Sequence, residues 1–245
     1  MTRPEKAMVL AAGLGTRMRP LTAQTAKPLL PLGGRTLLDH ALDRLAAAGV
    51  KTAVVNTHWH AERVAAHLAT RTAPPMTVLR REQQLLDTGG AVLAALAAGA
   101  LGPEPFFVVN GDAFWLDGPH PALTRLADAF DPAALDAVLL VHPTSLVHAD
   151  IGAGDFAIDR SGVLRRRRER EIVPYLYAGV QLLSPSFFAG APDGAFSMNL
   201  LWDRAIAAGR LRPVVHDGLW FHLSRPADLA EAEATLHAPI TGETR

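Results

Sequence analysis

Cysteine is absent from the 245 residues, which excludes disulfides and thiolate-held metal sites. Long apolar runs are absent too. No stretch reaches the length of about 18 uncharged apolar residues that a membrane span needs. The 49% hydrophobic content and the mean hydropathy of +0.14 come from alanine and leucine spread along the chain. There is no excess of either charge, because 24 basic and 24 acidic residues cancel. That balance argues against a general nucleic-acid binder. Lysine is scarce, limited to Lys6, Lys27 and Lys51. Acidic residues are missing between Lys6 and Asp39, where Arg17, Arg19, Lys27 and Arg35 all fall. A pocket for a small anion and a solvated basic loop both fit that local excess. The opening MTRPEKAMVLAAG runs straight into a glycine-bearing loop, so it reads as a first strand and not as an export signal; cytoplasmic residence is the expectation.

What is present is an alternation of short apolar runs with amphipathic ones. Residues 7–12, 52–57, 76–80, 105–112 and 136–143 read as strands, and 36–49, 60–71, 89–99 and 121–130 as helices. Continuous apolar strands alternating with helices predict an α/β fold. Its core is a Rossmann-like, mostly parallel twisted sheet with helices on both faces. After about residue 145 the pattern changes. A turn at 160–162, a strand over 175–183, a helix over 199–209, a strand over 219–223 and a helix over 226–236 predict a small mixed C-terminal lobe. A single domain spanning 1–245, with a core over 1–145 and a lobe over 146–245, is the simplest organisation. In such sheets ligands sit outside the carboxyl ends of the strands, so the loops after residues 12, 57, 80 and 112 should share one face.

The most informative segment is LAAGLGTRMRPLTAQTAKPLLPLGG, residues 10–34. Gly13 and Gly15 after a strand let backbone N–H groups close around phosphate oxygens. Two familiar phosphate loops do not fit. A dinucleotide fingerprint needs glycine where Met18 stands, and a P-loop needs Gly-Lys-Ser/Thr where the chain has Arg17-Met18-Arg19. The whole string, with LLDTGGAV (85–92) and FFVVNGD (106–112), resembles the sugar-phosphate nucleotidyltransferases, which make nucleotide sugars. The resemblance covers most of the chain and is loosest over 113–170.

It implies a GT-A-like nucleotidyltransferase fold, with 1–145 binding the nucleotide and 146–245 the sugar phosphate. A nucleoside triphosphate would contact Leu10, Ala11, Ala12, Gly13, Gly15, Thr16 and Arg17, together with Thr88, Gly89 and Asn110. Arg17 would neutralise the leaving phosphates, where a guanidinium fork suits bidentate contact; Arg19 is a weaker candidate. Lys27 would sit near the α-phosphate or the incoming sugar phosphate, shared with Asn110 and Gly179. Asp112 would be the Mg²⁺ ligand, because one carboxylate with phosphates and waters is a usual way to hold that ion. Without the family, Thr88 with Gly89 and Gly90 also reads as an ordinary helix start, and Asp112 as a turn residue.

Two departures stand out. Relatives carry a second metal-binding aspartate in W-x-D, where this chain has Trp220-Phe221-His222. Imidazole is a poorer partner for Mg²⁺, so His222 implies a metal held by Asp112 and phosphates alone, a softer ion such as Mn²⁺, or a weakened enzyme. The lobe also lacks the lysine that grips the sugar phosphate in several relatives; RRRRER (165–170) is either its replacement or a solvated hairpin arm. His58-Trp59-His60 is expected to be structural or to rim the substrate site, not to form a metal pair. Within the family, the compact length, the LLDTGG loop and the late WDRAIAAGR helix are similar to the uridylyltransferases of cell-wall sugar recycling. That implies UTP and N-acetylmuramate α-1-phosphate as substrates. A guanylyltransferase using mannose 1-phosphate, or a nucleotide-binding regulator, are the alternatives. Oligomeric state is not legible.

Overall fold

The computed structural model describes residues 3–147 and 151–238. The first strand, β1 (Lys6–Leu10), is followed by 3₁₀ turns at Thr16–Met18 and Lys27–Leu29 and by a short ribbon of β2 (Pro31–Leu32) and β3 (Arg35–Thr36). Then come α1 (Leu37–Ala47), β4 (Thr52–Thr57), α2 (Ala61–Leu68), β5 (Met76–Arg81), α3 (Asp87–Ala97), β6 (Phe106–Asn110), β7 (Phe114–Leu116), α4 (Ala122–Ala129) and β8 (Ala137–Pro143). The second half contributes β9 (Phe156–Ile158), β10 (Leu164–Arg166), β11 (Tyr175–Leu183), α5 (Asn199–Ala207), β12 (Leu211–Val215), β13 (Leu219–Phe221) and α6 (Pro226–His237).

Local chemistry explains the main elements. Leu37, Leu38, Ala41, Leu42 and Leu45 recur at helical spacing and are all buried, so α1 presents one apolar face to the sheet. Its start is a capping box: Thr36 Oγ1 accepts from Asp39 N at 3.0 Å, and Asp39 Oδ2 accepts from Thr36 N at 3.2 Å. Val54 and Val55, Val108 and Val109 are fully buried on both faces of their strands, as a sheet covered by helices requires.

Among the described residues the main sheet has nine strands. Strands β5, β4, β1 and β6 run parallel in that order, as the alternation predicts. Most strands of the lobe join this sheet, while β13 pairs antiparallel with β7 in a separate two-stranded one. Strand β11 inserts antiparallel between β6 and β8, and β12 then adds parallel to β8. Helices cover both faces. One core cluster holds Leu38, Leu42, Phe107 and Leu126, and the opposite one Met8, Val108, Phe187 and Trp202. A third cluster packs the 3₁₀ turn after β1 under α6 through Met18, Phe114 and Leu223. No helix among the described residues is long and apolar enough to cross a membrane.

Candidate active site

The carboxyl ends of β1, β4, β5 and β6 open on one cavity of about 550 Å³. Its walls take residues from the end of β4 and from the loops after the other three strands: Asn56, Ala12, Glu82 and Asp112 among them. The expected shared face is therefore present.

The turn after β1 leaves its strand buried and surfaces quickly. Ala11 and Ala12 are buried, whereas Gly13, Leu14, Thr16 and Arg17 are exposed to the cavity. The loop is fastened from behind. Thr22, fully buried, donates its hydroxyl to Gly15 O at 2.7 Å, and Trp59 Nε1 donates to Thr22 O at 3.1 Å. His58 and His60 make ring hydrogen bonds to Glu82 O (2.9 Å) and Ala23 O (3.2 Å), the structural role expected of that triplet. Arg17 lines this cavity and makes no ion pair among the described residues, so its guanidinium is available to an anion. Arg19 is exposed and lines neither this cavity nor its two neighbours below.

Lys27 and Asp112 are 85 residues apart and meet at 2.5 Å, Nζ to Oδ2, with the lysine side chain 12% exposed. The pair is brought together because β6 lies beside β1. Gly111 N donates to Leu10 O at 2.8 Å and carries the strand pairing one residue past β6, which sets Asp112 at the mouth. Both residues also line a second cavity, of about 280 Å³, with Arg17, Gly179 and His222. Gly179 sits in a bulge of β11 at φ 81°, and a Cβ there would lie 2.8 Å from the Ala113 Cβ, so no other residue suits the position. Burial holds the His222 imidazole below its ordinary value, and the Lys27 and Arg17 cations act in the same direction against Asp228 and Asp112. A neutral imidazole is the ligand form of histidine.

Asn110 ends β6 and lines both of these cavities and a third, also about 280 Å³, that continues between Thr88, Tyr177 and Trp202. The Tyr177 hydroxyl is buried without a hydrogen-bond partner among the described residues, and burial, with the Asp112 charge adding, pushes the phenol up.

Thr88 lines the first and third cavities, and its hydroxyl accepts from Met198 N at 2.9 Å instead of capping α3. Gly89, expected to contact the nucleotide, lines none of the three cavities. It is buried against the segment before α5: a Cβ would lie 2.2 Å from the Phe196 ring, and at Gly90 one would lie 2.1 Å from Gly194 O. These glycines permit a close backbone crossing, and the adjacent Asp87 and Thr88 face the cavity in their place.

Two further site residues carry no motif. Asn56, 3% exposed, accepts from Ala11 N with Oδ1 (2.8 Å) and donates with Nδ2 to Glu82 Oε1 (2.7 Å). Glu82 Oε2 in turn accepts from Leu86 N at 3.2 Å. One amide thus ties the phosphate loop to the loop that leads into α3. A strand ending in a polar side chain, VVNT, is the sequence signal that points to Asn56.

The MobA-like NTP transferase domain family matches residues 7–184. The chain is 43% identical over 237 residues to the N-acetylmuramate alpha-1-phosphate uridylyltransferase of Caulobacter vibrioides, covering 95% of this chain and 97% of that protein. It is 31% identical to the protein of the same name from Neisseria meningitidis serogroup B, over 94% of this chain and 97% of that one. The crystal structure of UDP-glucose pyrophosphorylase complexed with UDP-glucose matches with a TM-score of 0.76 at 17% identity, over 96% and 98% of the two chains; that likeness is one of fold.

Proposed function

The chain belongs to the MobA-like NTP transferase family, as a sugar-phosphate nucleotidyltransferase, and from that membership we propose that it transfers UMP from UTP onto N-acetylmuramate α-1-phosphate and releases pyrophosphate. One observation carries the chemistry. The glycine loop with Arg17, which makes no ion pair among the described residues, the half-buried Lys27 and the strand-tip Asp112 all line one cavity.

In this reaction a phosphate oxygen of the sugar attacks the α-phosphorus, a new P–O bond forms, and the bond to the β-phosphate oxygen breaks in line. The protein has little covalent work to do; it positions the reactants and neutralises charge. The N–H groups after β1 and the Arg17 fork receive the charge that grows on the departing pyrophosphate. Lys27, kept compact by Asp112, is set for the α-phosphate, where an ammonium counters the charge of the five-coordinate transition state. Asn110 spans the nucleotide and sugar cavities and is suited to orient the attacking phosphate.

The donor set fits a hard divalent ion. Asp112 is a partly exposed carboxylate with one oxygen committed to Lys27, and among the described residues no group of three or more histidine and acidic side chains encloses a metal. Mg²⁺ held by one carboxylate with phosphate oxygens and water suits that arrangement, and the neutral His222 adds a donor that favours Mn²⁺. Such an ion would supply charge neutralisation at the phosphates. A supply of nucleoside triphosphate supports the cytoplasm as its compartment.

The test is pyrophosphate release with four nucleoside triphosphates and three sugar 1-phosphates, those of N-acetylmuramate, N-acetylglucosamine and mannose, under Mg²⁺ and Mn²⁺. The highest kcat/KM is expected for UTP with N-acetylmuramate 1-phosphate. A preference for GTP and mannose 1-phosphate refutes the assignment, and tight nucleotide binding without turnover marks a regulator instead.

A further inference from the structure

The third cavity is lined by a cation. Arg166, at the end of β10, lines it together with Tyr177, Asn199 and Trp202. Its guanidinium carbon lies 5.3 Å from the Phe156 ring centre and 5.9 Å from that of Trp202. Nη1 donates to Asn199 Oδ1 at 3.0 Å. Nε stands 3.4 Å from a carboxylate oxygen of Asp203, whose side chain is 57% exposed. No hydrogen bond among the described residues uses Nη2. Two aromatic faces and an amide therefore hold the fork in place, while among the described residues only a long, exposed ion pair offsets its charge, and such pairs are weak.

Arg166 is singled out within RRRRER by its surroundings. Arg165 is satisfied by Glu171, to which Nη1 and Nη2 donate at 2.7 and 2.6 Å. Arg167, Arg168 and Arg170 line none of the three cavities. The phosphate end of the site already has its cations, Arg17 and Lys27, around Asp112. Asp155, the acid shared by the second and third cavities, has Oδ2 engaged by Tyr177 N at 2.8 Å. A positive fork at the end of the sugar cavity that the phosphate cations do not line calls for a second acid on the sugar.

We propose that Arg166 reads the carboxylate of the lactyl ether of N-acetylmuramate. It thereby separates this substrate from N-acetylglucosamine 1-phosphate, the same sugar without that ether. The proposal rests on the substrate reading above. A planar guanidinium accepts a carboxylate in two parallel hydrogen bonds, and the incoming acid displaces the loose contact to Asp203.

The experiment compares wild type, R166M and R166K with UTP and each of the two sugar 1-phosphates. The readout is the ratio of kcat/KM for the acidic over the neutral sugar. Loss of one charge-assisted contact lowers that ratio about tenfold to a hundredfold in R166M, mainly through KM. R166K keeps the charge without the fork and falls between. A ratio within twofold of wild type in R166M overturns the assignment, as does an equal loss on both sugars, which is the mark of a structural or phosphate-binding role. Wild type that shows no preference for N-acetylmuramate 1-phosphate refutes the substrate reading itself; a preference that survives R166M refutes Arg166 alone. UTP binding, measured in its own cavity, confirms that each variant is folded, and R166K stands in should R166M fail to fold.

Discussion

Replacing Asn56 by leucine keeps the volume at the end of β4 and removes the amide that joins two loops of the nucleotide cavity. Ala11 is 1% exposed, so its N–H loses the 2.8 Å bond to Oδ1 and gains no water. A stranded buried donor costs about 1–3 kcal/mol. The second bond, to the Glu82 carboxylate, is charge-assisted, but Glu82 lines the cavity and recovers most of its hydration. Together the change costs about 2–4 kcal/mol, which for a chain of this size lowers Tm by about 5–15 °C. The loss should also raise KM for the nucleotide, because Ala11 begins the phosphate loop. Asn56→Asp makes a different error. It keeps the acceptor for Ala11 but sets a second carboxylate against Glu82, and two such groups share a proton at the expense of raised affinity for it. A carboxyl whose folded value is raised binds more protons in the native state, so stability falls as pH rises through that value. N56D should therefore approach wild-type stability near pH 5 and lose it toward pH 8. Thermal melts across that range, with nucleotide KM measured at pH 7.5, provide the check. An N56L protein that melts within 2 °C of wild type and binds nucleotide normally would show that the amide link contributes nothing.

Gly90→Ala should destabilise by more than the usual overpacking cost of about 1–3 kcal/mol, because the new methyl meets the Gly194 carbonyl, backbone against backbone; urea unfolding measures it, and a neutral result contradicts the packing role. Burial, with the His216 imidazole beside it, holds His142 down to about 4. The unfolded chain takes up a proton near pH 6.5 that the native state refuses. Stability is therefore full above pH 7 and falls by up to about 3 kcal/mol as pH drops from 6.5 toward 4. In His142→Asn that acid-side slope should flatten, as seen by urea titrations at several pH values. Arg17→Ala and Asp112→Asn should each lower kcat/KM by about a hundredfold to a thousandfold, with melting temperatures close to wild type. An active Arg17→Ala enzyme removes the guanidinium from the proposed chemistry.

The elements legible in the sequence were those whose periodicity reports a single buried face. Helix α1 was expected over 36–49 and spans Leu37–Ala47, because its five buried residues leave no other face to hide. Strand β12 is not legible in the sequence. LRPVV carries Pro213 in its middle, which argues against a strand; the structure accepts it because β12 pairs with β8 alone and lies at an edge. The sequence suggests a nucleotide contact for Gly89, and nothing local reveals that Phe196 and Gly194, more than a hundred positions away, press on Gly89 and Gly90.

The sequence by itself determined the alternation of strands and helices, the phosphate loop and the three charged residues Arg17, Lys27 and Asp112, since each depends on residue type within a short span. The tertiary structure alone decided that Lys27 lies against Asp112, that Asn56 bridges to Glu82, and that Arg166 lines a cavity while Arg165 pairs with Glu171. These contacts depend on which strands lie side by side. That order is chosen by burial of the whole sheet between its helices, a sum over distant residues that no local window contains.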